Sequence, residues 1–139
     1  LALSGKYGAG IACGGFVCGA RSGGHTASGS FVQVHEDGGV TLLTGSSDIG
    51  QGSETTLAQF VAEELGLSPR QVTVISADTE ETPIDPGTFS SRVTFYAGNA
   101  TLLAAREVKG VLAEVAGRHL GVPEEEVEFK DGHVRVRSN

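Results

Sequence analysis

Two stretches of this chain combine residue types that could do chemistry. The first is Gly45-Ser46-Ser47-Asp48-Ile49-Gly50-Gln51-Gly52-Ser53, and the second ends Gly87-Thr88-Phe89-Ser90-Ser91-Arg92-Val93-Thr94. Each reads as a loop that follows a strand and runs into a helix. A helix N-terminus offers unpaired N–H groups and a partial positive charge, which suits phosphate and other anions. Glycines beside it let the backbone approach a ligand closely. The hydroxyls of Ser90, Ser91 and Thr94, with the fork of Arg92, suit phosphate or pyrophosphate. Ser and Thr ahead of a helix are also ordinary caps, so either loop alone has a purely structural explanation. Neither loop contains the Gly-Lys-Ser/Thr of a P-loop or the Gly-x-Gly-x-x-Gly of a dinucleotide fold. The residues alone imply an anionic ligand held at paired helix starts.

The other reactive groups carry less. Cys13 and Cys18 form a lone C-x4-C with no second pair and no histidine nearby. A structural zinc site takes four ligands and an iron–sulfur cluster four thiolates, so the expectation is two buried or partly buried thiols. The acidic runs Glu80-Glu81 and Glu124-Glu125-Glu126 read as solvated faces.

The elements that must position these loops follow from pattern. Residues 8–19 form a glycine-laced apolar stretch, expected as a strand with a bulge or a strand running into a loop. Residues 28–35 and 40–44 alternate around Glu36-Asp37-Gly38-Gly39, a hairpin signal. From Glu54 the period becomes helical through Leu57, Phe60, Val61 and Leu65, and Gly66 supplies a C-terminal cap. Residues 71–77 form the next strand. A long helix with a stripe of Val93, Ala97, Ala100, Ala104, Val108, Val111 and Val115 follows, weakened by Gly98, Gly110 and Gly117. Asp131-Gly132 then joins two short strands as a second hairpin. Leu65-Gly66-Leu67 before Val72 is echoed 55 residues later by Leu120-Gly121-Val122 before Val127, which reads as two helix–cap–turn–strand units made by the same connector chemistry. The expected fold class is α+β, in the order β-ββ-α-β-α-ββ, with two helices on one face of a sheet.

The 139 residues fit a single domain, 1–139. The net charge of −7 speaks against nucleic acid or an anionic membrane as the main partner, since both require a basic surface. No apolar run reaches the 18 residues of a membrane span. The chain begins at Leu1 and reads as a fragment of a larger polypeptide. Glycine makes up 21 residues, roughly twice the usual ~7%, so backbone geometry is under unusual demand.

Asp48-Ile49-Gly50-Gln51-Gly52-Ser53-Glu54-Thr55-Thr56 resembles the Gly-Gln-Gly segment of the xanthine dehydrogenase/aldehyde oxidase family. Ser90-Ser91-Arg92-Val93-Thr94 through Gly98-Asn99-Ala100 resembles that family's next segment, about forty residues on. The likeness runs from about Gly8 to about Val115. It is nearest to the bacterial branch that includes 4-hydroxybenzoyl-CoA reductase and carbon monoxide dehydrogenase. It implies a molybdopterin-binding part of a large catalytic subunit, with molybdenum and the cytosine dinucleotide form of the cofactor. Iron–sulfur clusters and FAD are then expected on other domains or subunits, and cofactor insertion places the protein in the cytoplasm.

The same resemblance assigns roles. Gln51 would set its amide against the oxo ligand of molybdenum, the one catalytic assignment. Gly50 and Gly52 would let the loop pack against the metal and its dithiolene. Ser90, Ser91, Arg92 and Thr94 would lie near the pterin or the phosphates, and Phe16 with Gly14 and Gly15 would form a third cofactor-facing loop. The family's chemistry is hydroxylation of a carbon centre by water, with one branch running reductive dehydroxylation. Its catalytic glutamate sits in a Gly-x-Gly-Glu segment that this chain lacks. The fragment by itself is therefore expected to be inactive. The alternatives are a non-catalytic interaction module and a simple anionic-ligand domain. The substrate and the direction of the reaction are not encoded here.

Overall fold

A computed structural model of the chain describes residues 5, 8–16, 18 and 27–137. The first hairpin pairs β1 (Ser30–Val34) antiparallel with β2 (Val40–Thr44), with Phe31 opposite Leu43 and Val34 opposite Val40. His35 and Gly38 close its turn, the Gly38 N–H donating to the His35 carbonyl at 3.0 Å. The chain then crosses through helix α1 (Ser53–Leu65) to β3 (Val72–Ser76), which pairs parallel with β2. Helix α2 (Val93–Leu120) follows, and β4 (Val127–Lys130) and β5 (His133–Val136) form a separate antiparallel ribbon.

The α+β class and the order from the first hairpin onward are as the sequence implies. The expected leading strand is not seen among the described residues. Residues 8–16 and 18 belong to no strand, while Val17 and Gly19 lie outside the described residues. Ile11 is 98% exposed, so no sheet or helix among the described residues buries it. Cys13 and Cys18 are exposed free thiols rather than buried ones, because no layer of the described residues packs around them.

The core lies between the sheet and the two helices. Val40 and Leu42 of β2 and Val72 of β3 meet Leu57, Val61 and Leu65 of α1 and Val93, Ala97 and Ala105 of α2. Leu42, Leu57 and Val61 are fully buried, and each such side chain contributes about 1.5–3 kcal/mol of transfer free energy. The α2 stripe differs from expectation beyond its first turn. The helix buries Val93, Ala97, Gly98, Thr101 and Ala105, whereas Val111 and Val115 are exposed. Gly98 explains the change of face. A Cβ there would come within 2.8 Å of the Phe60 ring, so the absence of a side chain at this position lets Phe60 of α1 pack against α2. The Thr101 hydroxyl is satisfied by Ser30 at 2.9 Å. Farther along, Glu64 of α1 bonds Arg106 at 3.2 Å and Lys109 at 3.1 Å on α2.

The echo between the two halves is structural. Both helices end on a left-handed glycine, Gly66 (φ 66°) and Gly121 (φ 71°), whose N–H bonds back to Ala62 and Gly117 respectively. Each cap leads into a short 3-10 turn, Pro69–Gln71 or Glu124–Glu126, and then into a strand that starts on a buried valine, Val72 or Val127. The second hairpin turns on Asp131 (φ 54°) and Gly132 (φ 73°), two positive values as a two-residue turn of this hand requires. The acidic runs are solvent-exposed, as their composition implies.

Candidate functional site

Because β2 and β3 are parallel, their carboxyl ends lie side by side. The loop after β2 carries residues 45–52, and the loop after β3 carries residues 77–92. Ligand crevices in parallel sheets open at this end of the strands. Two observations show the loops locked together. Thr88 donates its hydroxyl to the Ser47 carbonyl at 2.6 Å. A Cβ on Gly45 would lie 2.0 Å from the Pro83 carbonyl oxygen, so only glycine permits this approach. Thr44 and Ser46, both buried, share a 3.1 Å hydroxyl bond beneath the junction.

Between the loops lies a cleft of about 330 Å³. Gln51 and Ile49 line it from the first loop, and Thr88, Phe89, Ser90, Ser91, Arg92, Val93 and Thr94 from the second. Phe16, from the amino-terminal segment, lines it too. The sequence-derived residues Gln51, Ser90, Ser91, Arg92 and Thr94 are thus brought to one place. Gly50 (φ 100°) and Gly52 (φ 75°) flank Gln51, and a Cβ on either would point into open space. Phe16 faces the same cleft as part of a third segment. The Ser91 hydroxyl bonds the Cys18 sulfur at 3.6 Å, a further link to that segment.

Two side-chain geometries bear on the expected roles. The first concerns Arg92. Its side chain is fully buried, and its guanidinium bonds Asp85 at 2.5 Å, the Gly87 carbonyl at 3.0 Å, the Ala27 carbonyl at 2.7 Å and the Ser28 hydroxyl at 3.0 Å. It lies over the rings of Phe89 and Tyr96, at 5.7 and 5.4 Å from their centroids. A fork committed in this way cannot receive a phosphate without stranding the Asp85 carboxylate. Arg92 is a structural hub beneath the cleft. Only its Nε has no hydrogen-bond partner among the described residues.

The second concerns Gln51. Its amide is turned into its own loop, with Oε1 accepting from Ile49 N–H at 2.7 Å and Nε2 donating to Ser53 at 3.0 Å and to the Ser47 carbonyl at 3.3 Å. The long bond to Ser47 is the weakest of the three. An outward hydrogen bond from Nε2 would replace that one at least cost.

The sequence reading overlooked Asp48. Its carboxylate accepts from Gly50 N–H at 2.7 Å and from Gly52 N–H, Glu54 N–H and the Ser53 hydroxyl at 3.4 Å. The Gly50 bond is the main cause that holds this carboxyl below the usual aspartate range, ahead of the opposing effect of burial and the further help of Glu54, Gly52 and Ser53. Asp48 thereby occupies the start of α1, where an external anion was expected. The signal that could have found it is an Asp placed a few residues ahead of a glycine-flanked helix start.

The first turn of α2 contains no acidic residue, whereas that of α1 carries Glu54, whose carboxylate accepts from Ser76. Ser90 (φ 51°) and Ser91 (φ 54°) both hold left-handed backbone conformations just before α2. Non-glycine residues held there cost of order 1–3 kcal/mol each and cluster at functional sites. Among the described residues no group of three or more His, Cys, Asp or Glu is placed to hold a metal ion. No described helix is long and apolar enough to cross a membrane.

Comparison with known proteins gives these observations a context. A family model described as the molybdopterin cofactor-binding domain matches residues 2–139. The gamma subunit of the 6-hydroxypseudooxynicotine dehydrogenase complex of Paenarthrobacter nicotinovorans is 40% identical over 106 residues, 76% of this chain and 13% of that protein. The carbon monoxide dehydrogenase large chain of Afipia carboxidovorans is 36% identical over 106 residues, with the same coverage of 76% and 13%. Among solved structures, the Cu,Mo-CO dehydrogenase superimposes with a TM-score of 0.73 at 34% identity, covering 81% of this chain and 14% of that one. Quinoline 2-oxidoreductase from Pseudomonas putida 86 also gives a TM-score of 0.73, at 31% identity, covering 78% of this chain and 14% of that one. The chain thus spans about one seventh of the length of these relatives.

Proposed function

Since the chain belongs to the molybdopterin cofactor-binding domain of the xanthine dehydrogenase family, we propose that the cleft between its two loops holds part of the molybdopterin of a molybdenum hydroxylase-type oxidoreductase. The observation that carries this reading is the convergence of Gln51, Ser90, Ser91 and Thr94 on one cleft at the carboxyl ends of two parallel strands. The donor set fits the group. Phe16, Phe89 and Ile49 supply apolar walls for a flat ring system, and hydroxyls, an amide and backbone N–H groups supply donors for its polar edge and phosphate.

The division of labour follows from charge. Asp48 and Glu54 make the α1 end negative, while the α2 end has no acid and its neighbour Asp85 is neutralised by Arg92. Phosphate therefore belongs at the Ser90–Thr94 side. Gln51 faces the other part of the cofactor by exchanging its Ser47 bond for an outward one. Arg92 acts from below, fixing the backbone of Ser90 and Ser91. When bound, the cofactor supplies two-electron oxidation or reduction of a carbon centre, with water as source or sink of the oxygen. The cytosine dinucleotide form is the reading that the carbon monoxide dehydrogenase likeness favours. Iron–sulfur and flavin partners are inferred on the same ground, and the cytoplasm is inferred as the site of cofactor insertion.

The experiment is metal and nucleotide analysis of the full-length protein purified in its complex. Molybdenum near one equivalent, with CMP released on acid hydrolysis, is expected. An active complex free of molybdenum and nucleotide overturns the proposal.

A further inference from the structure

We infer that Asp48 is a built-in anion: its carboxylate fills the start of α1, turns phosphate away from that helix, and as a positioning residue holds the Gly50-Gln51-Gly52 turn at the cleft. The two carboxylate oxygens divide the work. One takes the Gly50 and Gly52 N–H groups, which bracket Gln51. The other takes the Glu54 N–H and the Ser53 hydroxyl in the first turn of α1. Of the N–H groups that an incoming oxyanion would use at this helix start, those of Gly52 and Glu54 are thereby already engaged. Glu54, held by Ser76, adds a second negative charge in the same turn. A phosphate at α1 would meet two carboxylates, whereas one at α2 meets none in the first turn. Asp48 thus decides which of two similar helix starts a phosphorylated ligand can use. The positioning of Gln51 rests on the proposed function, but the exclusion of phosphate does not.

The two roles separate in substitutions made in the full-length protein within its complex. Asp48→Asn keeps an oxygen toward Gly50 and loses the charge at Glu54. Asp48→Ala loses both. The probe is inorganic phosphate, followed by phosphorus NMR and by the phosphate dependence of thermal unfolding. Both variants are expected to bind phosphate at least tenfold more tightly than the unaltered protein, and acetate is expected to compete for the new site in Asp48→Ala. Equal phosphate affinity in all three overturns the exclusion role. The second readout is the electron paramagnetic signature of molybdenum. It should shift in Asp48→Ala, return with added acetate, and stay unchanged in Asp48→Asn. An unshifted Asp48→Ala signal, or a shift that acetate leaves in place, overturns the positioning role. Should Asp48→Ala fail to fold, the phosphate affinity of Asp48→Asn decides the exclusion role and its molybdenum signature the positioning role, a shifted signal overturning the latter. Molybdenum absent from the unaltered complex defeats the proposed function instead, and the phosphate comparison stands apart from it.

Discussion

The hydroxyl of Thr88 donates to the carbonyl of Ser47 at 2.6 Å, joining loops 41 residues apart in sequence. The bond spans the carboxyl ends of β2 and β3, and the cleft exists because those ends are neighbours. Replacing Thr88 with Val keeps the shape and removes the donor. The expected cost to stability is about 0.5–1.5 kcal/mol. Molybdenum retention in the purified complex should fall by more than that modest loss explains. Denaturant titration and metal analysis of the same sample check both parts.

Arg92 and Asp85 form a pair whose side chains are both fully buried. Arg92→Ala leaves the Asp85 carboxylate buried without its cation, a loss of about 3–5 kcal/mol. Arg92→Lys restores the charge but cannot reach Asp85, Gly87, Ala27 and Ser28 together, so it should recover only part of that. Urea unfolding of the two variants should place them in that order.

Two glycines should respond to alanine with opposite signs. At Gly45 a Cβ would strike the Pro83 carbonyl, so Gly45→Ala must separate the loops and lower both stability and cofactor content. At Gly110, in the middle of α2, a Cβ meets nothing within 4 Å. Gly110→Ala should therefore stabilise by about 0.5–1 kcal/mol through helix propensity. Paired thermal melts of the two variants test the contrast.

Glu64 gives a pH dependence. Burial acts to raise its carboxyl, but hydrogen bonds from Lys109 and Arg106 outweigh it and hold the group below the ordinary glutamate range. A depressed carboxyl contributes stability above its unfolded value of about 4.3, lost as pH falls through the lower folded value. Glu64→Gln should therefore flatten the acid limb of the stability profile and leave the region near pH 7 with a small constant offset. Both partners are partly solvated, so the effect should shrink in high salt.

Local signals carried much of this fold. Asp131-Gly132, Gly66 and the Leu57–Leu65 periodicity each specify a turn, a cap or a face through neighbours only a few residues away, and each appears as read. The failures are of another kind. The run around Ile11 has strand composition, but no described neighbour buries it. The inner face of α2 is set by Gly98 meeting Phe60, a contact between helices that no spacing within α2 reveals. Arg92 was legible as important but not as buried, because Ala27, Ser28 and Asp85 come to it from separate parts of the chain. Asp48 was legible only as a polar residue in a loop. Its work lies in backbone donors that become available once α1 has formed.

The length of α2 has a mechanical consequence. Its 28 residues make a rod of about 42 Å at 1.5 Å per residue. One end is pinned at the cleft by Arg92, and the other ends beside the 3-10 turn that leads into the second hairpin. A tilt of one degree about the pinned end moves the far end by about 0.7 Å, at that length. The Gly98–Phe60 approach, the Thr101–Ser30 bond and the ties of Arg106 and Lys109 to Glu64 oppose such a tilt along the first half of the helix, so a single stiff rod joins the cleft to the second hairpin.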